Sequence, residues 1–128
     1  MNSKHRQEVQ YSLFSQSHGV LELPVDQQPS LIAMMHDSVL QRKWVYILAE
    51  QLTLSDCPQY CIAIKKPSVE VELLWIEKII SAGQAALIVV ENMQFDEITN
   101  KRLTLLCLEQ GVTIVNIPPV SNLVYGPW

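Results

Sequence analysis

The chain has 128 residues, of which 48% are hydrophobic and 17% charged, enough apolar material for one packed core and too little charge for a disordered chain. Thirteen acidic residues against nine basic ones leave a net charge of −4, which argues against nucleic acid as the main partner, because phosphate binding needs a surplus of Lys and Arg. The apolar runs are too short to span a bilayer, and the polar start MNSKHRQEVQ has no signal-peptide core, so a cytoplasmic protein with no membrane partner is expected.

Residues 1–18 read as a flexible N-terminal arm, with Tyr11, Leu13 and Phe14 as its apolar residues. Residues 19–120 read as one α/β domain, and 121–128 as a C-terminal tail. Gly19–Pro24 is expected to be a short edge strand stopped by Pro24. Asp26–Gln41 reads as a helix, with Pro29 near its start and Leu31, Met34, Met35 and Val39 or Leu40 on its apolar stripe. Trp44–Ala49 is rich in strand formers. Glu50–Pro58 carries turn residues, and Tyr60–Ile64 is a second strand candidate.

The clearest stretch is Ser68–Asn92. Ser68 suits a helix N-cap, and Val69, Leu73, Ile76 and Ile80 recur at helical spacing. Gly83 can take the left-handed conformation that ends a helix. Ala85–Val90 is apolar throughout, as in a strand covered on both faces. Asp96 then caps a helix over Glu97–Gln110 that stops at Gly111, with Phe95, Ile98, Leu103 and Leu106 on one side. Val112–Ile117 is the last strand, ended by Pro118–Pro119. Such alternation predicts a mostly parallel sheet with helices packed on it.

In a parallel sheet, ligands bind beyond the C-terminal ends of strands. The chain has neither G-x-x-x-x-G-K-[ST] nor G-x-G-x-x-G and holds only four glycines, so no nucleotide cofactor is expected. Lys65 and Lys66 could attract an anion, but Pro67 removes an N–H and a solvated basic turn is the simpler account. Glu91, at a strand end, reads as a solvated loop carboxylate. The three cysteines, Cys57, Cys61 and Cys107, suggest packing, with no disulfide framework and no zinc spacing. His5, His18 and His36 have no metal-ligand pattern around them. With no G-x-S-x-G and no arrangement of Cys and His arguing for a dyad, nothing calls for an enzyme.

What is left is surface for another protein. Trp44 and Trp75 are candidate anchors, since tryptophan is enriched in binding hot spots. Arg42 and Lys43 stand just before Trp44. Val71, Trp75 and Ile79 form a second apolar row on the helix after Ser68 and are candidates for a dimer face.

Two segments carry a resemblance: RKWVYILAEQLTLS, and VEVELLWIEKIISAGQAALIVVENMQFDEITNKRLTLLCLEQGVTIVNIPPVS. With GVLELPVDQQP upstream and SNLVY downstream, they resemble the SulA family of bacterial cell-division inhibitors induced in the DNA-damage (SOS) response. The resemblance runs from about Gly19 to Tyr125 and rests on collinear order. It implies a RecA-like fold that has lost its nucleotide-binding loop. The implied activity is binding of the tubulin-like GTPase FtsZ to block its polymerisation, with a homodimer as the expected state. It places the partner-binding positions on Lys43, its neighbour Arg42, Trp44 and Leu48, with Tyr60, Lys65 and Lys66 nearby. A Trp and a Lys that the family uses in the following segment have no counterpart in Thr53–Gln59. Ser121, Asn122, Leu123 and Tyr125 are similar to the tail that the Lon protease recognises in the family. A second reading is a non-catalytic RecA-like accessory protein in DNA repair, which measurable ATP binding would favour.

Overall fold

The computed structural model describes residues 18–24, 28–50 and 60–118. Cys57, the expected arm before His18, the turn over 51–59 and the tail positions Ser121, Asn122, Leu123 and Tyr125 lie outside these residues. Strand β1 (Gly19–Glu22) leads to helix α1 (Gln28–Leu40), then β2 (Trp44–Ala49) and β3 (Cys61–Lys65). Helix α2 (Val69–Ala82), β4 (Ala85–Glu91), α3 (Glu97–Gln110) and β5 (Thr113–Ile117) follow. The five strands form one sheet in the order β1-β5-β4-β2-β3, and every pairing is parallel.

The crossovers decide which face each helix covers. The chain moves from β1 across to β2 through α1, and back through α2 and α3 to β4 and β5. With right-handed crossovers, α1 lies on one face and α2 and α3 on the other. The buried side chains divide accordingly. Val45, Ile47, Leu87, Val89 and Val115 pack with Leu31 and Met35 of α1. Leu48, Ile88, Val90 and Ile114 pack with Ile76, Ile80, Leu103 and Cys107. Central strand β4 alternates between the two cores, so Ala85–Val90 is buried at every position.

Local chemistry sets the helix ends. Thr99 N donates to the Asp96 side chain at 2.8 Å, capping α3. That hydrogen bond holds the Asp96 carboxyl below its usual range. Gly83 and Gly111 end α2 and α3 at φ 77° and 69°, where a Cβ would be strained. Ser68 precedes α2 in extended conformation; its backbone carbonyl accepts from Glu72 N at 2.8 Å, while its hydroxyl makes no cap.

Three expected core positions are corrected. Leu40, offered with Val39 for the α1 stripe, is 81% exposed. Val69 is 46% exposed, whereas Ile76 and Ile80 of the same expected face are buried with Leu73 partly so, and Glu72 joins them. Ile98 of α3 is 79% exposed, because it stands nine residues from buried Cys107, about two and a half turns and therefore the opposite side.

Candidate partner-binding surface

The residues expected to bind a partner fall at opposite ends of the sheet. Arg42, Lys43 and Trp44 lie at the N-terminal end of β2; Lys65 and Lys66 lie at the C-terminal end of β3. The intervening strand spans about 17 Å, at roughly 3.3 Å per residue. They do not make one patch.

At the N-terminal end, α1 closes in a Schellman turn. Arg42 N donates to Val39 O at 2.8 Å, and Lys43 N donates to Ser38 O at 3.1 Å. This turn needs a left-handed residue, usually glycine, and here it is Arg42 at φ 60°. Arg42 is exposed and Lys43 half-buried. Trp44 N then donates to Gln84 O at 2.9 Å, and the register between β2 and β4 shifts at Trp44/Val45. A bulge of this kind re-aims the strand end at a sheet rim.

Tyr60 completes this end. It too is left-handed, at φ 62°, and its carbonyl accepts from Val45 N at 2.8 Å. Its ring meets the Trp44 indole edge-on, with centroids 5.3 Å apart and planes at 86°. Tyr60 is 45% exposed. The resemblance put Tyr60 near the expected contacts without aligning it to one, and its packing on Trp44 is what the structure adds. The signal for that packing is an aromatic residue at the start of each of two neighbouring strands. Non-glycine residues are held left-handed only where surrounding structure enforces it, and such residues concentrate at functional surfaces. Among the described residues, two of the three with this backbone flank Trp44.

The C-terminal end is knitted together by its own side chains. Lys66 Nζ donates to Asn92 O at 2.6 Å and lies 3.8 Å from a Glu72 carboxylate oxygen. Glu72 is fully buried; burial raises its carboxyl above the usual range, and Lys66 opposes that rise. Lys66 is therefore an internal ion-pair partner, contrary to the expectation of a solvated turn. Lys65 is exposed. Glu91 departs from its expectation as well, for its Oε1 accepts from Glu50 N at 2.6 Å. Asn116 Oδ1 accepts from Met93 N at 2.8 Å.

Leu48 is corrected as a direct contact. It is fully buried among Ile76, Ile88 and Ile114, because β2 is an interior strand whose Leu48 faces the α2 side. Of the second row on α2, Trp75 and Ile79 are partly buried against the core and Val71 is 37% exposed. Leu74, beside them, is half exposed. Cys107 is buried, and burial pushes its thiol up to about 11, as expected of a packing cysteine.

The fold and this distribution of side chains define a class: a single α/β domain whose parallel sheet is flanked by three helices, without a glycine-rich phosphate loop in its sequence. Among solved structures, it is similar to the crystal structure of SulA from Pseudomonas aeruginosa, with a TM-score of 0.60. The match covers 77% of this chain and 96% of that one at 12% sequence identity. The fold is thus SulA-like. No protein-family profile and no curated protein matches the sequence.

Proposed function

We propose that this protein is a SulA-like inhibitor of cell division, acting in the SOS response by binding FtsZ and blocking its polymerisation. It acts by occupancy and carries out no reaction. The observation that carries this reading is the N-terminal sheet end, where exposed Arg42 and half-buried Lys43 and Trp44 are presented by a left-handed turn beside Tyr60. A half-buried aromatic pair with a basic rim has the make-up of a protein-binding hot spot. The SulA-like fold supports the choice of partner.

In this reading Leu48 supports the surface from beneath, and exposed Lys65 at the far end serves only a partner that reaches across the sheet. Lys66 holds the far end together from within. The α2 row of Val71, Trp75 and Ile79 is the proposed dimer face, with Leu74 added to it. The tail SNLVY is the proposed Lon signal, and the cytoplasm the proposed location.

The test is sedimentation of FtsZ polymers formed with GTP and titrated with this protein. Loss of pelletable polymer at near-stoichiometric protein, with a parallel fall in GTP hydrolysis, is the expected outcome. Lys43→Glu should weaken inhibition while leaving the circular dichroism spectrum unchanged, since it reverses one charge at a surface turn. Unchanged polymer from a cognate FtsZ, with the added protein folded, would overturn the reading.

A further inference from the structure

A groove runs along α1 on the side facing the starts of β4 and β5. Its cavity volume is about 180 Å³, room for a small organic molecule. Ala33, Met34, Ala86 and Leu87 give it apolar walls. Its polar groups converge from three separate elements: Asp37 and Ser38 of α1, Thr113 of β5, and His18 just ahead of β1. Apolar walls with a few convergent polar groups are the general form of a small-ligand site.

Asp37 says what the groove takes. Among the described residues that line it, Asp37 is the carboxylate and no Lys or Arg stands beside it. It lies in the last turn of α1, where the backbone carbonyls already concentrate negative potential, and no basic residue stands in that turn. Its hydrogen-bond partner among the described residues is the Gln41 side-chain amide, at 2.9 Å. No ion pair to a described cation offsets the carboxylate. His18 is half-buried, and its Nδ1 is closed off from solvent and so from the groove. A carboxylate at the negative end of a helix beside an apolar wall suits a cationic amine on a short aliphatic stem.

We infer that the groove between α1 and the starts of β4 and β5 is a binding site for a small aliphatic ammonium ion, held by Asp37 with its carbon chain against Met34 and Leu87. The site is independent of the proposed FtsZ surface, although Ser38 in its wall accepts the hydrogen bond from Lys43 N. Its occupancy should therefore be felt at the turn that presents Lys43.

The probe is n-pentylammonium chloride, titrated into the isotopically labelled full chain and followed by amide chemical shifts. Sodium chloride at equal ionic strength and n-pentanol are the controls. Saturable shifts are expected at Asp37, Ser38, Gly111 and Thr113, with smaller ones at Lys43. Asp37→Asn keeps an oxygen for Gln41 and removes the charge, so it should fold and bind the amine at least tenfold more weakly. Ala33→Leu, at an exposed helical position on the groove wall, should fold and abolish the shifts by filling the space. Shifts that do not saturate, that n-pentanol reproduces, or that survive equally in folded Asp37→Asn would overturn the proposal.

Discussion

The two ends of the sheet use similar residues in opposite ways. At the C-terminal end, Lys66, Glu72, Glu91 and Asn116 bond to other parts of the same chain, drawing α2, β4 and β5 together. At the N-terminal end, Arg42, Trp44 and Tyr60 are left partly or largely exposed by backbone that costs stability to hold. Parallel α/β domains commonly bind ligands at the C-terminal end. Here that end is engaged internally, and the exposed aromatic and basic side chains of Tyr60 and Arg42 stand at the other. A basic side chain near a strand end is thus no guide to function until its partners are known.

The largest expected effect tests whether Leu48 belongs to the interior. Leu48→Ala should lower stability by about 3 kcal/mol, as for other fully buried leucines. Denaturant unfolding measures it, and a loss below about 1 kcal/mol would return Leu48 to the surface. Next, Trp44→Ala should weaken the proposed inhibition of FtsZ by about 2 kcal/mol, near thirtyfold. A folded variant with full inhibition would remove Trp44 from the N-terminal surface.

Arg42→Gly sharpens the comparison, because it separates strain from function. Glycine suits the left-handed turn, so stability should stay level or rise by up to about 1 kcal/mol while inhibition falls. Lower stability together with full inhibition would mean that Arg42 serves the fold instead.

The smallest effect lies at the C-terminal end and is a slope in pH. Glu72 has a carboxyl raised above 4.5 in the folded protein. The folded state then binds more protons than the unfolded state just above that value, so the Glu72 contribution is lost as pH rises from about 4.5 through the folded pKa. Glu72→Gln should remove this slope. Parallel stability curves for the two proteins across that window would show that Glu72 titrates alike in both states.

Secondary structure was largely legible because its causes are local. The stop glycines at 83 and 111, the Asp96 cap and the unbroken apolar run over 85–90 act within a few residues of themselves. The helix and strand bounds therefore agree with expectation to within a residue or two among the described residues. Less of the surface was legible. Arg42, Lys43 and Trp44 do share one end of the sheet, but Tyr60 joins them only through the pairing of β2 with β3.

By itself the sequence determined the order of elements, their boundaries and hence a parallel sheet, since periodicity, caps and breakers are properties of neighbouring residues. Only the tertiary structure decided that β2 lies inside the sheet, so that Leu48 is buried. It also decided that Lys66 meets Glu72 and Asn92, and that Tyr60 meets Trp44. Strand order brings together residues far apart along the chain, and no local pattern in the chain records which strand will lie beside which.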